Sequence, residues 1–213
     1  MPDAFVFPGG AVDPTDRDDA LVLLAARQEG TRATHDEPLS ALTLRIAAIR
    51  ETFEEAGILF ARDAAGAVSP NPSALAALRR EAMGGAEFGA LLAARTLRPD
   101  VDALAYYSNW VTPASEPIRF DAHFFVARAP AGQIAAADAI EVHDGMWLPP
   151  GDALAASERG ELSIRVPTRK HLERLARYDD LGDLLAHARD RSVVPIRPVA
   201  RDDGSFAFDE DTW

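Results

Sequence analysis

RETFEEAGI, residues 50–58, places three carboxylates, Glu51, Glu54 and Glu55, beside Arg50 and just ahead of Gly57. Each helical residue turns the chain by about 100°, so the three acids fall within an arc of roughly 100° on one face. Like charges at this spacing repel by a few tenths of a kcal/mol. A helix selected for stability alone avoids such a cluster. The arrangement predicts that something cationic binds there.

Leading into and through the cluster, Leu42, Ile46, Ile49, Phe53 and Ala56 recur at three- and four-residue spacing, which predicts a helix from about Leu39 to Ala56 with Gly57 as its left-handed stop. Before it come an apolar FVF that breaks at Pro8-Gly9-Gly10, a helix over 16–27 and a polar loop. After it, ILFAR reads as a strand, and SPNPSALAALRREAM and AEFGALLAAR as helices, the first capped by Ser73. LAYYSNWVTP and RFDAHFFVARAP are the strongest strands, rich in aromatic and β-branched residues. GMWLPP reads as a further strand, and GDALAASERGE, TRKHLERLARY and LGDLLAHARDR as helices that finish the chain. Interspersed strands and helices give a layered α/β or α+β fold.

The chain has 213 residues and a formal net charge of −12. That acidity argues against nucleic acid and anionic membranes as partners, while bound divalent cations still allow a small anionic substrate. Without cysteine there is no disulfide, thiolate metal site or cysteine nucleophile. No apolar run reaches the roughly 18 residues of a membrane span, and the N-terminal stretch lacks the regions of a signal peptide, so a cytoplasmic location is the default expectation. Neither G-x-S-x-G nor a Walker loop occurs, and the five histidines show no metal-ligand spacing.

PGG followed by RETFEEAGI resembles the Nudix box, G-x5-E-x7-R-E-U-x-E-E-x-G-U with U apolar. Arg50, Glu51, Glu54, Glu55, Gly57 and Ile58 match, and Thr52 stands at an apolar position. Counted from Gly10, the first glutamate of the box falls at Asp16. Arg50 follows Gly10 by 40 positions where the pattern has 14, an insertion of 26 residues. Such a split box resembles the peroxisomal coenzyme A diphosphatases of animals and their bacterial relatives. WVTPASEPIRFDAHFFVARAP, DAIEVHDGMWLPPGDAL and GELSIRVPT extend the likeness to about residues 5–175, although Ile118 stands where those relatives commonly carry a second arginine.

The resemblance implies a single domain over 1–213: a Nudix-type α/β/α sandwich with a mixed sheet, a box insertion at 11–39, a helical insertion at 70–97 and a helical C-terminal extension at 165–213. It also implies a strand pair ahead of Pro8-Gly9-Gly10, where this chain has seven residues. The expectation is therefore an internal start that omits the first hairpin, leaving a strand edge that invites a homodimer. Implied roles are Glu51, Glu54 and Glu55 as ligands of Mg²⁺ or Mn²⁺, which take oxygen donors. The backbone at Gly10 completes that site, and Glu141 from a late loop serves as base or extra ligand. Arg50 either orients the glutamates or forms a plain i,i+4 pair with Glu54, and Asp16 either replaces the box's first glutamate or caps a helix at Arg17. Arg119 is a candidate phosphate contact. Tyr106, Tyr107 and Trp110 are candidates to stack on an adenine, against the commoner role of strand aromatics as core. The implied reaction is hydrolysis of a nucleoside diphosphate derivative, coenzyme A or an acyl-coenzyme A first, with ADP-ribose or NADH open. The alternative is a catalytically silent relative that binds a nucleotide or a partner.

Overall fold

The apolar repeat before Gly57 folds as expected: α2 runs Leu39–Ala56 and buries Leu42, Ile46, Ile49 and Phe53 along one stripe. Gly57 follows in the left-handed region (φ 72°), and its N–H donates to the Phe53 carbonyl at 2.9 Å. Thr52, at the box's apolar position, turns its hydroxyl back onto the Ala48 carbonyl at 2.7 Å. The computed structural model describes residues 4–26, 39–66, 71–135, 145–201 and 206–208. They divide into two compact units, Phe7–Leu104 with Arg128–Leu148, and Met1–Val6 with Ala105–Ala127 and Pro149–Trp213.

The first unit is built on α2. A short 3-10 turn, Pro14–Arg17, leads to α1 (Asp19–Ala26), which starts later than the sequence suggests because Asp18 caps it through the N–H groups of Ala20 and Leu21. After α2, ILFAR pairs only over β1 (Ala61–Arg62); β2 (Arg98–Pro99) is its antiparallel partner. Just ahead of β1, the Gln133 amide stands in for a neighbouring strand, accepting from the Leu59 N–H (2.7 Å) and donating to the Leu59 carbonyl (2.9 Å). Between β1 and β2 lie α3 (Pro72–Met83) and α4 (Phe88–Ala93). Asn71, not Ser73, caps α3, since Pro72 takes the first helical position and Asn71 Oδ1 accepts from the Ala74 N–H at 2.9 Å. Ile46, Ile49, Phe53, Leu59, Leu78, Leu92 and Val101 are fully buried, and the Phe53 and Phe88 rings pack 6.4 Å apart. The Arg45 guanidinium donates to the carbonyls of Val101 and Leu104, tying α2 to the turn Val101–Ala103.

The second unit holds a mixed sheet ordered β4-β3-β5. In it β3 (Ala105–Val111) and β4 (Asp121–Val126) are antiparallel, and β5 (Pro195–Ile196) joins β3 in parallel. The β3–β4 register slips between Tyr106 and Ser108, and Tyr107 packs into a core with Leu184, Leu185 and Ala188. Helices α5 (Pro150–Glu158), α6 (Val166–Leu175) and α7 (Leu181–Asp190) follow the sequence reading. Among the described residues the chain does not finish as helix: β5 is followed by the two-residue strands β6 (Val199–Ala200) and β7 (Phe206–Ala207). FVF contributes one bridge, Phe5 to Ile164, rather than a strand. Gly145–Pro149 is not a strand either; Met146, Trp147 and Leu148 are exposed without ladder partners. Among the described residues no helix is long and apolar enough to cross a membrane.

His171 on α6 is 2% exposed and fixes that helix to β3. Its Nδ1–H donates to the Pro167 carbonyl (2.6 Å), which leaves Nε2 to accept from the Ser108 hydroxyl (2.6 Å). The Phe124 ring lies 4.2 Å away, with Tyr107 and Trp110 farther out. Burial pulls the imidazole pKa down to about 4, against a smaller opposing effect of the Pro167 hydrogen bond. The folded state therefore holds His171 neutral while the unfolded chain protonates it near pH 6.5. Its contribution is full above pH 6.5 and is lost as pH falls toward 4, by roughly 3 kcal/mol in all. Urea unfolding of wild type and His171→Gln across pH 4–7.5 checks this: the stability gap between them narrows with acid, and a gap independent of pH contradicts it.

Candidate metal centre

The carboxylates of α2 occupy its last two turns, and the chain ahead of the helix folds back against them. The Gly9 N–H donates to Glu55 Oε2 at 2.9 Å. Gly10 lies against the carboxylate of Glu51; a Cβ there would come 2.6 Å from its carboxyl carbon. Glycine at this position therefore leaves Glu51 its present place, which a Cβ would take from it. Should Glu51 be a metal ligand, Gly10→Ala, by pushing it aside, is expected to weaken Mn²⁺ binding about tenfold with little loss of fold, and an unchanged Mn²⁺ titration contradicts that role.

Arg50 organises the other acids. Its Nε and Nη2 pair with Asp16 Oδ1 and Oδ2, both at 2.9 Å, the forked geometry that suits a guanidinium. Nη1 reaches Glu51 Oε1 and Glu54 Oε2, both at 3.0 Å, and Nη2 also donates to the Ala11 carbonyl at 3.0 Å. The i,i+4 pair with Glu54 is therefore one part of a larger network. Burial works against the Arg50 charge, but the hydrogen bond to Asp16 and the fields of Asp16, Glu51 and Glu54 outweigh it, so its pKa moves up. Glu54 is pushed up by burial, with Arg50 opposing and Glu51 and Asp16 adding to the rise. Asp16 is fully buried. It does not cap a helix at Arg17. It sits inside the 3-10 turn, where Asp13 is the cap and Asp16 Oδ2 closes the box by accepting the Asp13 N–H at 2.8 Å.

Of the remaining candidates, Arg119 and Tyr106 belong to the unit that holds β3 and β4. Arg119 is exposed, with its Nε 3.4 Å from the Thr112 carbonyl. Tyr106 is engaged across the strands: its hydroxyl meets His123 Nδ1 at 2.7 Å, and its ring packs on His123 and Phe125. Tyr107 and Trp110 are buried, the core role. Glu141 lies outside the described residues.

Among the described residues no three acidic or histidine side chains converge on one point as a preformed cation cage. Glu51 and Glu54 instead turn to Arg50, and Glu55 to Gly9. The donor set nonetheless fits a hard divalent cation, since it offers three carboxylates on one helical face and a backbone brought against them at a side-chain-free position.

A mixed α/β chain with this acidic helix and its Gly-Gly approach is a Nudix fold, and the chain belongs to the NUDT19 Nudix domain family, whose pattern it matches over residues 28–175. It is 30% identical to the acyl-coenzyme A diphosphatase NUDT19 of Gallus gallus, over 95% of this chain and 66% of that protein. It is 29% identical to the Homo sapiens protein of the same name, over 86% and 59%. It thus spans about three fifths to two thirds of the length of these relatives. Among solved structures it resembles a NUDIX hydrolase from Alicyclobacillus acidocaldarius, with a TM-score of 0.72 and 28% identity over 87% of this chain and 81% of that one.

Proposed function

We propose that this chain hydrolyses the diphosphate linkage of a nucleoside diphosphate derivative in a Mg²⁺- or Mn²⁺-dependent reaction, with coenzyme A or an acyl-coenzyme A ester as substrate. The observation that carries the reading is the acidic end of α2 held against Gly9 and Gly10, with Glu51, Glu54 and Asp16 gathered on one arginine. The substrate class follows the activity for which the relatives from Gallus gallus and Homo sapiens are named.

In this reading Glu51, Glu54 and Glu55 hold the cation together with the Gly10 backbone. When bound, the cation neutralises charge on the diphosphate and activates water for attack on phosphorus. Arg50 orients Glu51 and Glu54, and Asp16 fixes Arg50. Water adds to one phosphorus, the bridging P–O bond breaks, and a carboxylate takes the proton, Glu54 and Glu141 being the candidates. Arg119 is kept as the candidate phosphate contact.

The test is hydrolysis of coenzyme A, acetyl-coenzyme A, ADP-ribose and NADH with Mg²⁺ or Mn²⁺, each product identified by mass. Metal-dependent release of 3′,5′-ADP from the coenzyme A substrates is expected. Cleavage of ADP-ribose or NADH alone moves the substrate. Silence on all four with Mn²⁺ bound favours a nucleotide- or partner-binding relative.

A further inference from the structure

The last turn of α2 is electrostatically unfavourable. A helix carries partial negative charge at its C-terminus, where cations stabilise and acids do not. Yet α2 places Glu54 and Glu55 there and has no basic residue in that turn. The carbonyls of the last turn also lack intrahelical partners. Both deficits are met by one side chain from outside the box. Arg79, on α3, donates from Nε and Nη2 to the Glu54 carbonyl at 3.0 and 2.8 Å, and from Nη2 to the Glu55 carbonyl at 2.6 Å. Gly57 follows at once, and a Cβ there would stand 3.0 Å from Arg79 Nη1, so the glycine also makes room for the guanidinium.

We infer that Arg79 is a positioning residue of the metal site: it clamps the backbone of Glu54 and Glu55, and through it sets where their carboxylates stand. The inference rests on the proposed role of α2 as the cation-holding helix. It gives the helical segment between β1 and β2 a part in the site, because α3 delivers the clamp from the same face that buries Leu75, Leu78 and Ala82. A lysine replaces it only in part, since one ammonium has no second nitrogen to share the Glu54 carbonyl as Nε and Nη2 do.

The test uses the whole chain, as wild type, Arg79→Met and Arg79→Lys. Amide exchange followed by mass spectrometry reads the clamp directly. Removing it is expected to speed exchange about tenfold across residues 54–60 while leaving β3 and β4 unchanged. Mn²⁺ titration by electron paramagnetic resonance is expected to show affinity about tenfold weaker in Arg79→Met, with Arg79→Lys between it and wild type. At saturating Mn²⁺ the KM for the diphosphate substrate is expected to stay within twofold, a split that general loss of fold does not produce. If Arg79→Met fails to fold, Arg79→Lys carries the comparison alone. Exchange and Mn²⁺ affinity within twofold of wild type in the folded variants overturn the inference. Absence of Mn²⁺ binding and of hydrolysis in the wild type overturns the reading of α2 itself, a separate failure, and the inference falls with it.

Discussion

Glu51→Gln is expected to lower kcat/KM for the diphosphate substrate about a thousandfold, on the scale of removing one charged contact from a polarised transition state. Glutamine keeps the shape that fits against Gly10 and keeps an oxygen for Arg50 Nη1, so the fold has little reason to change. What it lacks is the negative charge. Asp16 and Glu54 still compensate Arg50 in the variant, so thermal unfolding is expected within a few degrees of wild type. Steady-state kinetics at saturating metal, with the unfolding temperature measured in parallel, checks the result. Retained activity places the metal contact elsewhere on the helix.

Asp16→Ala carries the opposite signature, a large loss of stability. Arg50 is only 9% exposed, and Asp16 supplies two of its hydrogen bonds. Removing Asp16 leaves Arg50 Nε without its partner while Glu51 and Glu54 still face Nη1, so the expected cost is about 1–3 kcal/mol. The variant also strips the Asp13 N–H of its acceptor. Denaturant unfolding is expected to show the midpoint falling with little change in slope. Adding Arg50→Met to Asp16→Ala removes the unsatisfied guanidinium donor and is expected to recover part of the loss. A change below about 1 kcal/mol in Asp16→Ala means that Glu51 and Glu54 alone suffice for Arg50.

The helix that carries the acids was legible to the residue, Leu39–Ala56, because its apolar positions follow one stripe and a glycine ends it. The α/β class was equally legible, through aromatic strands that became β3 and β4. Of the two readings open for Asp16, the one drawn from a local rule is the one that fails. An acid ahead of a helix is usually its cap, but this one answers to an arginine 34 residues later, across the insertion. Its spacing from Gly10 was the better signal. Ser73 lost the cap to Asn71 for a reason the sequence did contain, the proline between them.

Other features depend on contacts no local pattern encodes. β5 forms in a proline-containing segment that argues against a strand, and it exists because β3 offers a parallel edge. Trp147 and Leu148 look like a strand by composition but find no ladder partner. The Arg79 clamp had one faint trace, an acidic helix terminus with no cation of its own. Only geometry separates Arg79 from the adjacent Arg80.

The most direct measurement is Mn²⁺ titration, by electron paramagnetic resonance, of the whole chain beside its Glu55→Gln variant. Glu55 accepts from the Gly9 N–H, and glutamine preserves that bond through its carbonyl oxygen while deleting the charge. Saturable binding in the wild type, lost or weakened at least about tenfold in Glu55→Gln with the unfolding temperature unchanged, is the predicted result. Equal binding by both proteins would contradict the assignment of the metal to the acidic face of α2.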